Sequence, residues 1–170
     1  MKSIVASILC LILVGIVNAQ AQLKPPVEPV MDRFLRYVKI DTQSQEDQTT
    51  TPSTRKQLNL ANLLARELTA LGAENVRVSE FGIVYATVPG NLADNSKVPV
   101  VGFIAHMDTS PAVSGENVEA VIHKNYQGGD IVLRKDTSQV ITVAKNPVLN
   151  ELIGDDIITA DGTTLLGSDD

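Results

Sequence analysis

The 170-residue sequence contains one cysteine, no tryptophan and only two histidines. Because the single cysteine, Cys10, lies in an apolar stretch near the N-terminus, neither a disulfide bond nor a cysteine nucleophile is expected in the rest of the chain. The patterns G-x-S-x-G, G-x-x-x-x-G-K-[ST] and G-x-G-x-x-G are also absent. The sequence therefore lacks the usual signals of serine hydrolases, P-loop enzymes and dinucleotide-binding proteins.

Clusters of basic residues are missing as well. The chain has 14 Lys and Arg against 20 Asp and Glu, a net charge of −6, and no Lys/Arg patch that would bind a phosphate backbone. Nucleic acid is thus not an expected partner. With 44% hydrophobic and 20% charged residues, the composition instead indicates a folded domain with an apolar core.

Residues 1–21 have the order of a secretory signal peptide. Lys2 precedes an apolar run at residues 4–17, and the small-residue segment Asn18-Ala19-Gln20-Ala21 follows, where cleavage after Ala19 or Ala21 fits. A retained membrane anchor is the alternative, but the run of about 14 residues is shorter than the roughly 20 that cross a bilayer. We expect export to the periplasm or outside the cell, and a mature chain of residues 22–170 without a stable membrane span.

Two helices and a hairpin are predicted at the start of the mature chain. Apolar residues at positions 31, 34, 35 and 38 predict the first helix, and leucines at positions 60, 64, 68 and 71 predict the second. Ser53 or Thr54 is the candidate N-cap of the second helix, and Gly72 is predicted to end it. Residues 76–79 and 83–88 then predict two strands joined by a short turn.

Residues 98–105 are apolar at successive rather than alternate positions. This pattern predicts a central strand that is covered on both faces, which is the α/β arrangement. Near the C-terminus, residues 157–159 and 163–166 flank Asp161-Gly162 and predict a second hairpin.

The segment Ala105-His106-Met107-Asp108-Thr109-Ser110 follows the predicted central strand directly. In open α/β sheets ligands bind beyond the carboxyl ends of strands, and spacing of two in extended chain places His106 and Asp108 on one side. One ring nitrogen of His106 could then ligate a metal while Asp108 holds the other. A hydrogen-bonded structural histidine is the alternative. His123 has no acidic neighbour nearby and is interpreted as a surface or structural residue.

The segment Leu165-Leu166-Gly167-Ser168-Asp169-Asp170 is a second candidate, because its apolar run ends in two carboxylates that suit a hard or borderline cation. Solvated surface charge is the alternative interpretation.

Taken together, these stretches resemble the peptidase T family, the tripeptide aminopeptidase branch of the dinuclear zinc peptidases. The resemblance begins at Met31, and its motifs follow one another in the same order as in the family. Its main motifs are Arg33-Phe34-Leu35-Arg36-Tyr37-Val38, Asp41-Thr42-Gln43-Ser44, Gly102-Phe103-Ile104-Ala105-His106-Met107-Asp108-Thr109-Ser110-Pro111, Asn125-Tyr126-Gln127-Gly128-Gly129-Asp130-Ile131 and Asp161-Gly162-Thr163-Thr164-Leu165-Leu166-Gly167-Ser168-Asp169-Asp170.

The resemblance implies a site with two zinc ions that removes the N-terminal residue from short peptides. It implies that His106 ligates one zinc, that Asp108 is the catalytic-site carboxylate supporting this histidine, and that Asp169 bridges the two metals. It also implies the N-terminal part of a zinc-peptidase catalytic domain, with a mixed, largely parallel sheet flanked by helices, and a possible homodimer in the full-length protein.

Three departures from the family pattern are visible. Ala112 stands where an Asp is usual, the leader is unexpected for a family associated with the cytoplasm, and residues 22–170 match only the N-terminal portion. The resemblance then implies that the general-base Glu and the remaining ligands are missing and that the chain alone is inactive. A non-catalytic exported binding module is the alternative, and a dipeptidase or carboxypeptidase specificity is a third interpretation.

Overall fold

The computed structural model describes residues 23–92 and 94–167. The predicted leader at residues 1–21 lies outside the described residues. Within them the chain forms two α-helices, six short strands and one 3₁₀ helix. In chain order these are α1 Val30–Tyr37, α2 Gln57–Leu71, β1 Glu74–Val78, β2 Val84–Thr87, β3 Val121–His123, β4 Ile131–Val132, β5 Val140–Ile141, the 3₁₀ helix Pro147–Glu151 and β6 Ile157–Thr159.

Both predicted helices are present. In α1 the apolar side chains at positions 31, 34 and 35 are half-buried and Val38, just after it, is buried, while Asp32 is exposed. Helix α2 buries Leu60 and Ala61 and ends at Gly72, whose φ of 92° is the left-handed conformation that glycine favours. The predicted end of this helix is confirmed.

The predicted N-cap of α2 is wrong. Helix α2 begins at Gln57 with Lys56 at the N-cap position, and no side chain caps it. The Thr54 hydroxyl donates to the Gln43 carbonyl at 2.7 Å instead, and the Ser53 hydroxyl accepts from the Gln45 N–H at 3.1 Å. Both hydroxyls lie too far before the helix and are used to hold the preceding loop.

The first predicted hairpin is confirmed. Strands β1 and β2 pair antiparallel, with Val78 opposite Val84 and Arg77 opposite Tyr85, and α2 packs against both. The Arg77 guanidinium lies 4.0 Å from the centre of the Tyr85 ring, a cation–π contact across the strand pair.

The second predicted hairpin is wrong. Strand β6 pairs antiparallel with β3, and residues 163–166 are in no strand. The cause is Asp161, which is 1% exposed and accepts hydrogen bonds from the Thr163 N–H and hydroxyl. This Asx-type turn closes on itself and leads the chain away from β6.

A small apolar core lies beside these strands. It contains Tyr126, Ile131 and Leu149, which are buried, and partly buried side chains pack against it. Strands β4 and β5 form a third antiparallel pair that borders this core.

The chain is a mixed α/β structure, but the central strand and the largely parallel sheet are not found in the described residues. Residues 98–105 are in no helix or strand, and Val100, Phe103 and Ile104 are 96–99% exposed. The described strands form three separate antiparallel pairs. Outside these strands, Gln43 and Thr109 form one isolated parallel bridge within the described residues. A strand that is apolar on both faces needs paired neighbours and covering layers, and the described residues supply neither.

Among the residues that the structure describes, no helix has both the length and the apolar composition needed to cross a membrane.

Candidate functional site

The structure brings His106 and Asp108 together. The His106 Nδ1 atom lies 2.8 Å from the Asp108 carbonyl oxygen and 3.3 Å from its carboxylate Oδ1. A carbonyl oxygen only accepts hydrogen bonds, so Nδ1 carries the proton and donates it. In the neutral ring the lone pair is then on Nε2, which is the arrangement of a histidine whose second nitrogen faces a metal. Both side chains are nearly half exposed, at 47% and 45%.

The turn that carries these two residues is anchored through Thr109. The Thr109 N–H donates to the Thr42 carbonyl at 3.3 Å, and the Ser44 N–H and hydroxyl donate to the Thr109 carbonyl at 2.9 and 2.8 Å. These bonds form the parallel bridge between residues 42–44 and the site. The turn belongs to no helix or strand and has no regular backbone hydrogen bonds of its own. Its bonds to residues 42–44 therefore determine the position of Asp108.

Gln43 holds the far side of the same turn. Its side-chain amide donates to the carbonyl oxygens of Pro111 and Val113, at 3.3 and 2.9 Å, while Thr54 donates to its backbone carbonyl. The sequence pattern assigns Gln43 no role of its own. The available signal is the polar run Asp41-Thr42-Gln43-Ser44 shortly after the first helix.

Asp41 and Lys56 form an ion pair beneath this anchor. The Lys56 Nζ atom lies 2.8 Å from Asp41 Oδ2, and the Gln43 N–H donates to Asp41 Oδ1 at 3.0 Å. Partial burial acts to raise the pKa of Asp41, but the hydrogen bonds from Lys56 and Gln43 outweigh it and hold the pKa below its ordinary value. The Asp41 carboxylate is therefore ionised at neutral pH, and its bonds to Lys56 and to the Gln43 N–H hold the beginning of the segment 42–44 in place.

The C-terminal end of the described chain lies beside the turn. Gly167 approaches Thr109 so closely that a Cβ atom on it would lie 2.3 Å from Thr109 Cγ2, and the Leu165 N–H donates to the Ser114 carbonyl at 2.9 Å. An open cleft of about 570 Å³ lies between the turn and residues 165–167. His106 and Asp108 line it. The predicted ligand Asp169 lies outside the described residues, two positions after Gly167.

Among residues 23–92 and 94–167, no group of three or more His, Cys, Asp or Glu side chains is placed to hold a metal ion. These residues include one histidine, His106, whose Nδ1 is hydrogen-bonded to Asp108. His106 with Asp108 matches one metal ligand and the acceptor that supports it, so the two residues fit part of a zinc site.

His123 has a different environment. It lies on β3, is partly buried, and its Nε2 atom is 3.0 Å from the Thr159 hydroxyl on β6. This bond between paired strands is consistent with a structural role.

Several known proteins that share one name are similar to this chain, although no family model matches it. The chain is 55% identical over 141 residues to peptidase T of Desulfitobacterium hafniense strain Y51, and 52% identical over 141 residues to peptidase T of Halothermothrix orenii. It is also 48% identical over 143 residues to peptidase T of Listeria welshimeri.

These alignments cover 83–84% of this chain and 34% of each relative. The resemblance to peptidase T is thus confirmed, and the chain spans about one third of the length of the curated relatives that it matches.

Proposed function

We propose that this chain, which those matches identify as a relative of peptidase T, carries the first part of a metal-dependent aminopeptidase site that removes the N-terminal residue of tripeptides. The observation that carries the proposal is the His106–Asp108 pair, whose Nδ1 contacts of 2.8 and 3.3 Å orient the ring as a metal ligand. The pair faces an open cleft large enough for a short peptide.

In this proposal His106 and Asp169 would hold zinc. A pair of bound zinc ions supplies Lewis-acid polarisation of the scissile carbonyl and acidifies water at neutral pH. Asp108 is a positioning residue. Its carbonyl and carboxylate oxygens lie close to Nδ1 of His106 and accept its proton in a hydrogen bond, so that Nε2, on the other side of the ring, points away from Asp108. The close approach of Gly167 to Thr109 supports the proposal, since Gly167 stands only two positions before Asp169 in the sequence.

We further propose that the chain alone does not turn over peptides. A catalytic zinc takes about three protein ligands plus water, and a two-metal site needs more. His106 and Asp169 provide two, and residues 23–92 and 94–167 contain no group of three or more His, Cys, Asp or Glu side chains placed to hold a metal ion. A general base within hydrogen-bond reach of the reacting water is also required.

Zinc binding tests the proposed ligand directly. Equilibrium dialysis or calorimetry on the full chain should show weak binding of zinc that His106→Ala abolishes. His123→Ala is the matched control, because it removes the other histidine, which bonds Thr159 instead. Equal zinc binding by the chain and by His106→Ala would contradict the proposal. Circular dichroism of both variants checks that neither is unfolded.

An activity assay tests the second part. With zinc added, tripeptide hydrolysis by the full chain should stay at background. Turnover that depends on zinc and is lost in His106→Ala would show that the chain is active alone, which would keep the proposed site but overturn the proposed inactivity.

We also propose that residues 1–21 direct export. The order of one basic residue, an apolar run and Asn18-Ala19-Gln20-Ala21 supports this. Cell fractionation followed by N-terminal sequencing should find an exported product that begins at residue 20 or 22. An uncleaved N-terminus in the cell interior would contradict it.

A further inference from the structure

We infer that Asp161 is a positioning residue, which holds residues 163–167 beside the turn that carries the proposed metal ligand His106. The inference rests on the proposed metal site, because Gly167 stands two positions before the proposed ligand Asp169 in the sequence. It is carried by the burial and the bonds of the aspartate, and by the contacts that the following segment makes with the turn.

Asp161 is the one acidic residue that is buried within the described part of the chain, with an exposed fraction of 1%. Its Oδ1 atom accepts hydrogen bonds from the Thr163 N–H at 2.9 Å and from the Thr163 hydroxyl at 2.7 Å. These two bonds lower the pKa of Asp161 to about 2, so its carboxylate is ionised at neutral pH. Because an Asx-type turn of this kind fixes the backbone of the next two residues, Asp161 sets the direction in which the chain continues.

The same turn is attached to the loop before it. The Lys135 Nζ atom lies 3.0 Å from Asp161 Oδ2 and 3.0 Å from Glu119 Oε1, and the Lys135 N–H donates to the Asp161 carbonyl at 2.8 Å. Gly162 has a φ of 103°, and a Cβ atom on it would lie 3.1 Å from the backbone nitrogen of Asp136. The turn is therefore held to the neighbouring loop by an ion pair, a backbone hydrogen bond and a close packing contact.

Residues 163–167 run from this turn to the proposed site. The Leu165 N–H donates to the Ser114 carbonyl at 2.9 Å, and a Cβ atom on Gly167 would lie 2.3 Å from Thr109 Cγ2. The segment belongs to no helix or strand, so no regular ladder of backbone bonds sets its course. Loss of the turn should therefore let the segment move away from Thr109.

A second aspartate in the neighbouring loop supplies a matched control. Asp136 Oδ1 accepts hydrogen bonds from the Ser138 N–H at 3.0 Å and from the Ser138 hydroxyl at 2.6 Å, which are the same two bonds at the same spacing. The chain after Ser138 enters β5 instead of approaching the proposed site. Asp136→Ala thus removes an equivalent turn and retains the Cβ atom that lies beside Gly162.

Nuclear magnetic resonance of the full chain without zinc tests the position directly. In Asp161→Ala the Leu165 amide should exchange with solvent about tenfold faster or more, because the two bonds that fix the turn are lost. The Overhauser contact between the Gly167 α-hydrogens and the Thr109 methyl should disappear. Asp136→Ala should leave both signals unchanged, and equal behaviour of the two variants would overturn the inference.

Two further variants keep this test decisive. Asp161→Asn should restore most of the Leu165 protection, because the amide oxygen can accept the same two bonds. Thr163→Ala removes one of these bonds from an exposed position, so it reports on the turn even if Asp161→Ala does not fold. It should accelerate Leu165 exchange to a smaller extent than Asp161→Ala, and Ser138→Ala is its control. No acceleration in Thr163→Ala relative to Ser138→Ala would contradict the inference.

Zinc affinity separates positioning from stability. Measured where circular dichroism shows every variant folded, zinc binding should weaken about tenfold in Asp161→Ala, recover in Asp161→Asn and stay natural in Asp136→Ala. Faster Leu165 exchange with unchanged zinc affinity would make Asp161 a structural residue only and overturn its role in the site. A natural chain that binds no zinc would contradict the proposed metal site, whereas the exchange data would still decide whether Asp161 positions residues 163–167.

Discussion

Gly167 lies against Thr109, and a side chain on this glycine would overlap the threonine methyl at 2.3 Å. The φ of Gly167 is 63°, a left-handed value that residues with a Cβ adopt at a cost. Two separate causes thus require glycine here: backbone conformation and the close approach to the turn that carries His106 and Asp108.

Gly167→Ala should destabilise the fold by about 2 kcal/mol, of which roughly 1 kcal/mol is the left-handed backbone and the rest is overpacking. Gly129→Ala separates the two causes, because Gly129 has a φ of 91° and a methyl group added to it would meet no neighbouring side chain or backbone within 4 Å. Chemical denaturation should give the control variant only the backbone cost. Equal free energies of unfolding for the two variants would show that the overlap with Thr109 is relieved by a shift of the turn.

Asp108→Ala should weaken zinc binding without abolishing it. The substitution removes the carboxylate at 3.3 Å from His106 Nδ1 but keeps the backbone carbonyl at 2.8 Å, so one acceptor remains. Loss of an outer partner of a metal-bound histidine typically costs about 10- to 100-fold in affinity, and the retained carbonyl favours the lower end. Zinc titration of Asp108→Ala beside His106→Ala measures this, and an unchanged affinity would show that the carbonyl alone positions the ring.

Local sequence pattern was sufficient to predict the helices, the first hairpin and the contact between His106 and Asp108. Each depends on residues that are close in sequence, such as the spaced leucines and Gly72 of the second helix, or the interval of two residues between His106 and Asp108. Whether residues 98–105 form the predicted central strand could not be decided from local pattern. The apolar run indicates a strand that is covered on both faces, but such a strand forms only when segments far along the chain pair with it. The same limit applies to Gln43: its bonds to Pro111 and Val113 span about 70 residues, and no local pattern reports them.

Asp41→Asn should lower stability at neutral pH by about 1 kcal/mol, because it removes the charge that Lys56 bonds while both side chains are only partly exposed. The folded pKa of Asp41 lies below its ordinary value, so its contribution is fully present above the unfolded pKa near 4 and is lost as pH falls through the folded pKa. The free energy of unfolding of the natural chain should therefore fall more steeply with acid than that of Asp41→Asn. Asp156→Asn, which breaks the more exposed pair with Lys124, is the control and should have a smaller effect at neutral pH.

Tyr37 should remain protonated well into the alkaline range. Its burial and its hydrogen bond to the Glu67 carboxylate raise its pKa to about 12. A raised folded pKa contributes stability that is present below the unfolded pKa near 10 and is lost as pH rises through about 12. Ultraviolet titration should show a tyrosine ionisation step near pH 12, and Tyr37→Phe should remove that step. Glu67→Gln keeps an acceptor but removes the negative charge, so the late step should move to lower pH; an unchanged titration would assign the shift to burial alone.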